Sequence, residues 1–413
     1  MIAFVLRKIG YGLLVLWGVV TLVFFLFNLA PGDPVRNLVG ENATEEVIAN
    51  MRRKFDLDLS VGRRYALYLN DLSPLGIHSN IDQSRVYFNP AEYSGIRIAF
   101  QDAGKAVYLK APYLKRSFLT DKSVSSILAE VLPGTVVLAF VSIGLALIVG
   151  LLLGIAAALK KDGFYDRIIL FISALGMAGP SFFVAILVAW VGAVVWRDQI
   201  ILSYGALFIL ISVLVAFFLF EKTKRGIIWL MPLFVVVLFF IKVFPMREVA
   251  IVLPGTGLNM TGSLYSVDVW KGEFLDVKNL VLPVVTLMIR PLSVIVQLTR
   301  SSLLDVMQQD YIRTARAKGL SEWEVIFKHA LRNALNPVIT AVSGWFASLL
   351  AGAIFVEFVF GWKGLGQQMF TAIENQDMPV VMGGVIVISA AFVLINMLVD
   401  LLYAWIDPRV RLS

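Results

Sequence analysis

The 413-residue chain is 59% hydrophobic and only 16% charged, against about 45–50% and about 25% in soluble domains, which excludes an ordinary soluble fold and indicates a membrane protein. With no cysteine and only two histidines, His78 and His329, it has neither a disulfide framework nor a thiol nucleophile, and too little imidazole for a clustered-histidine metal site. The formal charge of +7 gathers in short segments between apolar runs, where basic residues report membrane orientation and give no sign of nucleic-acid binding.

The first apolar run extends from Ile9 to about Ala30 behind Arg7 and Lys8. It is long enough for about 30 Å of hydrocarbon and lacks a small-x-small cleavage site before Pro31, so residues 1–30 read as a retained membrane helix. Residues 31–130 carry mixed charge, Gly/Pro turns and short alternating runs such as YFNPAEYSGIRIAF and AVYLKAPYL. They read as an extracytoplasmic insertion of mixed α/β structure, open to use as a connection or as a docking surface.

Further spans are predicted at 131–159 and 168–196, within a core block over 131–199; Pro180 divides the second. Two more, 200–220 and 227–244, make a hairpin over 200–244, joined through EKTKRG, and an external loop follows at 245–278. A second core block, 279–405, holds spans at 279–299, 334–356 and 380–405, ahead of a tail at 406–413. An inside amino terminus puts Arg7/Lys8, Lys160/Lys161/Arg167, Lys222/Lys224/Arg225, the basic stretch after Arg300 and Arg409/Arg411 all in the cytoplasm. Eight spans with both termini cytoplasmic therefore satisfy the positive-inside rule.

The stretch YIRTARAKGLSEWEVIFKHALRNALNP at 311–337 has an internal order. A helix leaving the membrane reaches Gly319, the residue type suited to a left-handed exit. Ser321, three residues before Glu324, forms a capping-box pattern that starts a second helix. Trp323, Ile326, Phe327, Ala330, Ala334 and Leu335 recur at spacings of three and four and predict its apolar face, with Glu322, Lys328 and Arg332 opposite. Pro337 sets the boundary with the next span. Periodicity alone leaves two uses open, a helix lying on the bilayer surface and a handle whose aromatic knobs fit a partner's groove. His329 reads as a packing or hydrogen-bonding residue, since no nucleophile and carboxylate are arranged around it.

This stretch resembles the cytoplasmic coupling loop of ATP-binding-cassette importer permeases, in the form found in dipeptide and oligopeptide permeases. Gly319 aligns with the family glycine; Arg313, Thr314 and Ala315 occupy the usual Glu-Ala-Ala positions, and Thr314 to Leu320 match the peptide-transporter pattern Thr-Ala-Arg-Ala-Lys-Gly-Leu. FNLAPGDPV at 27–35, LPGT at 132–135, GMAGPSF at 176–182, FVEFVFGWKGLGQQMFTAIENQDMPVVMGGV at 355–385 and NMLVDLLYAWIDPRVR at 396–411 extend the resemblance in order. It implies an all-α polytopic membrane protein with a six-span importer-permease core; the extracytoplasmic insertion at 31–130 and the apolar pair at 200–244 depart from that core, the pair reading as an inserted two-helix hairpin that brings the count to about eight transmembrane helices.

The resemblance further implies contact with an ATPase through Arg313, Thr314, Ala315, Ala317, Lys318, Gly319, Ser321, Trp323, Glu324, Phe327, His329, Arg332, Asn333 and Pro337. Implied partners are a second, non-identical homologous permease, two cytoplasmic ATPase subunits, an extracytoplasmic solute-binding protein and membrane lipid, with no nucleic acid. No GxxxxGK[ST] loop occurs, so ATP and magnesium belong to the partner ATPases and no cofactor to this chain. Short peptides are the implied cargo; nickel chelates or another small solute, and an ATP-independent secondary transporter, are the competing readings. Arg290, Gln297 and Ser343 are polar positions at membrane depth, open to a role in the translocation path or between subunits, or, for Arg290, to anchoring by snorkelling.

Overall fold

Inside a bilayer the backbone has no water to bond, so apolar runs of this length close their hydrogen bonds within helices. The computed structural model describes residues 2–29, 35, 43–81, 84–90, 92–101, 105–198, 200–203, 250–253, 255–268, 270 and 272–406. Among them, Leu6–Asn28, Val124–Leu159, Lys278–Met307 and Met378–Val399 are each long and apolar enough to cross a membrane. Phe164–Ala178 and Ser181–Val195, bent by 111°, make a fifth if counted as one broken span. The chain is thus an all-α polytopic membrane protein with strand-bearing insertions.

In chain order the helices are α1 Ile2–Leu29, α2 Glu45–Lys54, α3 Val61–Leu72, α4 Val124–Leu159, α5 Phe164–Ala178 and α6 Ser181–Trp190, the last extended by a π turn over Val191–Val195. After them come α7 Lys278–Met307, α8 Asp310–Ala317, then α9, which starts at Glu322–Glu324 and continues through a π turn, Val325–Ala330, into Leu331–Ala334. The last four are α10 Asn336–Gly352, α11 Ile354–Val359, α12 Leu365–Glu374 and α13 Met378–Ile406.

The parallel pair α4 and α7 forms the centre. An ideal Cβ at Gly150 would lie 2.7 Å from Ile295 Cγ2 and one at Gly154 2.6 Å from the Thr299 Cβ, so the glycines of GLLLG let the helices approach at backbone distance. The bent pair follows α7 in the opposite sense, from Asp166 beside Arg300 to Gly192 beside Leu282. Leu282 and Arg300 stand 18 steps apart on α7, or about 27 Å at the helical rise. α1 runs against α13, with Gly12 at Val393 and Val20, Val23 and Phe24 clustered near Met382. The lower end therefore gathers the starts of α1 and α10 and the ends of α4, α7 and α13; the upper end gathers the starts of α4 and α13.

Three boundaries differ from the sequence reading. α4 begins at Val124, before residue 131, because the Ser123 hydroxyl accepts the Ser126 N–H at 3.2 Å and caps it, and the helix then runs through Pro133. The expected span 334–356 turns aside after Gly352 into the short α11. Residues 200–203, expected to open a helix, are strand β4, antiparallel to β5 (Ala250–Leu253). The rest of the predicted 200–244 hairpin, and the tail beyond Ile406, lie outside the described residues.

The insertion carries α2, α3 and an antiparallel sheet of β1 (Leu75–Ser79), β2 (Gly95–Gln101) and β3 (Lys105–Lys110), in the order β1-β3-β2. A second hairpin, β6 (Tyr265–Asp268) and β7 (Gly272–Leu275), precedes α7. Asp377 ties the insertion to α13: Ser117 Oγ donates to its Oδ2 at 2.5 Å and the Phe118 N–H to its Oδ1 at 3.0 Å.

His78 is fully buried among Phe88, Tyr93 and Tyr108, with neither ring nitrogen hydrogen-bonded. Burial, helped by the Lys110 charge, pushes its pKa down to about 4. Near pH 6.5 and below, the unfolded chain takes up a proton that the folded insertion refuses, so this contribution is present above pH ~6.5 and lost as pH falls toward 4. Asp71, pushed up by burial, acts in the opposite sense. The protection factors of β1 and β3, exchange taken relative to the intrinsic rate at each pH, should fall between pH 7 and pH 5, and His78→Leu should flatten that dependence.

Candidate functional site

The lower end is organised around the end of α7. Past Met307 the chain turns into α8, whose Ile312 and Ala315 are buried in one cluster with Ile155 and Ala158 of α4, Leu303 of α7, and Val325, Ala330 and Ala334 of α9. Gly319 closes α8 at φ +78°, and nothing lies within 4 Å of where its Cβ would sit. Glycine is required there by backbone conformation and not by space.

The capping box at Ser321 is complete. Its hydroxyl accepts the Glu324 N–H at 3.3 Å, and the Glu324 carboxylate accepts the Ser321 N–H at 3.3 Å. Arg316 bridges the turn from α8 to Glu322 with two bonds, of 2.9 and 3.2 Å, and the Asn333 amide donates to the Tyr311 hydroxyl at 2.8 Å. α8 and α9 are thus fastened to each other at both their near and far ends, although exposed pairs of this kind contribute only about 0.2–1 kcal/mol each.

The face of α9 differs from the expected one. Val325, Ile326, Ala330 and Ala334 are buried, whereas Trp323 is 72% and Phe327 46% exposed. The π turn accounts for this: with i to i+5 bonding, Val325 and Ala330 share the inner face and the phase after Trp323 shifts by about one residue. The two exposed rings stack on each other, with centroids 5.0 Å apart and planes at 8°.

Around them the fourteen predicted residues form one continuous element. Arg313, Thr314, Ala317, Lys318, Arg332 and Asn333 are exposed, Ala315 is buried, His329 is half-buried, and Pro337 stands in the first turn of α10. The three membrane-depth residues are not joined to one another. Arg290 lies over the Trp345 ring at 6.0 Å, the Gln297 amide contacts Met177 Sδ at 3.3 Å, and Ser343 Oγ donates to the Thr340 carbonyl at 2.7 Å.

Two polar joints escaped the sequence reading. Beside the lower element Arg300 grips Asp166 through Nε–Oδ1 at 2.5 Å and Nη2–Oδ2 at 2.6 Å, while the Asp162 N–H donates to the same carboxylate at 2.8 Å. At the upper end Thr135 Oγ1 donates to the buried Glu357 at 2.6 Å. The available signal in each case was a lone charge bordering an apolar run, which names a residue but not its partner. Among the described residues, no group of three or more His, Cys, Asp or Glu could hold a metal ion.

The model described as "Binding-protein-dependent transport system inner membrane component" matches residues 150–412, and "Binding-prot-dependent transport system membrane comp, N-term" matches residues 1–86. The chain is 30% identical to the dipeptide transport system permease protein DppB of Alkalihalophilus pseudofirmus, over 100% of both proteins. It is 32% identical to the probable D,D-dipeptide transport system permease protein DdpB of Escherichia coli, over 98% of this chain and 97% of that protein. With the di/tripeptide transport system permease protein DppB of Pseudomonas aeruginosa it shares 30% identity over 100% and 99% of the two.

Asp166→Ala strands a half-buried guanidinium and should lower stability by about 3 kcal/mol, whereas Asp166→Ala with Arg300→Met should recover most of the loss. Thermal unfolding of the detergent-solubilised single and double variants measures both.

Proposed function

Because the chain belongs to the binding-protein-dependent transport system inner-membrane component family, we propose that it conducts dipeptides or oligopeptides inward, driven by ATPase subunits that grip the α8–α9 element. The chain is the membrane-spanning, non-enzymatic subunit of an ATP-binding-cassette importer. The cargo is inferred from relatives named for dipeptide and di/tripeptide transport.

The observation that carries the proposal is the exposed Trp323–Phe327 stack on a helix whose opposite face is buried against the ends of α4 and α7. An aromatic pair presented by a firmly packed helix suits a partner's groove. Arg313, Lys318, Lys328 and Arg332 around it favour an acidic rim on that partner. Force applied to the pair reaches two long helices at once.

The remaining assignments follow from this one. ATP and magnesium sit on two cytoplasmic ATPase subunits; a second, non-identical permease completes the pore, and an extracytoplasmic solute-binding protein delivers the peptide. Both termini lie in the cytoplasm, because the basic pairs Arg7/Lys8 and Lys160/Lys161 and the α8–α9 element share the lower end. The core has six crossings, α1, α4, the α5–α6 pair, α7, α10 and α13. Arg290, Gln297 and Ser343 line the path or the contact with the second permease.

Gly319→Val forces a β-branched residue into a left-handed conformation at a cost of about 1–2 kcal/mol. Membrane insertion should stay normal, while dipeptide uptake and substrate-stimulated ATP hydrolysis by the reconstituted complex fall about tenfold. Unchanged coupled turnover would contradict the assignment.

A further inference from the structure

α4 is a single helix of 36 residues, about 54 Å long at 1.5 Å per residue, and its two ends hold different things. At its lower end Ile155 and Ala158 belong to the cluster that seats α8 and α9. At its upper end Gly134 and Thr135 meet the loop between α11 and α12.

That upper contact is unusually closely defined. The Leu365 N–H donates to Thr135 Oγ1 at 2.7 Å, and the Thr135 hydroxyl donates onward to Glu357 Oε1 at 2.6 Å. Glu357 Oε2 accepts the Gln367 N–H at 3.0 Å, and the Glu357 residue has no exposed surface. A Cβ at Gly364 would lie 2.4 Å from the Glu357 carboxyl, and one at Gly134 would lie 2.5 Å from the Lys363 carbonyl oxygen. Trp362 and Leu365, both buried, close the joint on either side.

A buried carboxylate whose partners come from α4 and from the hairpin cannot be released by one without losing its hydrogen bonds, which apolar packing alone would not enforce. The α11–α12 hairpin follows α10 in sequence, yet its polar fastening is to α4.

We infer that Glu357 is a positioning residue that clamps the α11–α12 hairpin to Thr135 of α4, so that α4 carries displacement of the α8–α9 element to the upper mouth of the path. The clamp is a statement about this chain alone; its role in transport rests on the importer reading. Motion at the lower end is then delivered to the upper end by one rigid helix.

Because the chain has no cysteine, spin labels can be placed directly. Ser126→Cys with Glu374→Cys reports the joint between α4 and the hairpin, and Lys161→Cys with Lys328→Cys reports the lower end. The full chain should give a narrow Ser126–Glu374 distance distribution, unchanged when ATP is added to the assembled complex. Glu357→Ala should broaden it while leaving the Lys161–Lys328 distances intact, and should reduce peptide uptake about tenfold, the scale of one lost hydrogen bond to a charged group.

Thr135→Val should reproduce the Glu357→Ala behaviour and Thr135→Ser should restore the wild-type one. Glu357→Gln, which keeps one acceptor, should fall between. A broad distribution in the wild-type chain, or a narrow one with full uptake in Glu357→Ala, would overturn the clamp. A narrow distribution that Glu357→Ala broadens, in a complex whose uptake never depends on ATP, would support the clamp and overturn the importer reading.

Discussion

In a bilayer two apolar helices gain nothing by hiding from lipid, because lipid tails are as apolar as leucine; they associate through close packing and buried polar bonds. The approach of α4 to α7 at Gly150 and Gly154 is that kind of contact, with Ile295 and Thr299 occupying the space where side chains would stand. It fixes the relative height of the two longest helices of the core. From that registration follow both the cluster that seats α8 and α9 below and the position of Thr135 above. A glide of one turn, about 5.4 Å, between them would break both ends together.

Buried carboxyl groups then specify what small residues alone leave loose. Asp166 with Arg300 sets the α5–α6 pair against α7, Glu357 with Thr135 sets the hairpin against α4, and Asp377 with Ser117 and Phe118 sets the insertion against α13. Each carboxylate is satisfied by an element distant in sequence. Polar groups like these are costly to bury where they are unpaired, so they act as unique fastenings more than as sources of net stability. The aromatic pair Trp323–Phe327 stays exposed on a helix whose other face is buried against the ends of α4 and α7.

Much of this was legible in the sequence for identifiable reasons. Run length located the four helices long and apolar enough to cross a membrane and the bent pair over residues 164–195, and the exit at Gly319 and the cap at Ser321 rest on local backbone rules that act over four residues. The family resemblance came from ordered motifs and is matched across residues 150–412 and 1–86. What could not be read is tertiary. The π turn that exposes Phe327 and buries Val325 depends on packing against α4 and α7, and helical periodicity assumes it away. The partners of Asp166 and Glu357 lie 134 and 222 residues off in the chain, and a single sequence carries no pairing signal over such distances. The strand at 200–203 defeated hydropathy, because a short apolar strand and the start of an apolar helix have the same composition.

An ATPase that grips the Trp323–Phe327 face would move α4 and α7 through it. Single cysteines introduced one at a time from Trp323 to Lys328, tested for crosslinking to the ATPase subunits of the assembled complex with and without ATP, address it most directly. Strong crosslinks are expected at the exposed positions Trp323, Phe327 and Lys328, little at the buried Val325 and Ile326, and a pattern that changes with ATP. An active complex that forms no crosslink anywhere in that segment would contradict it.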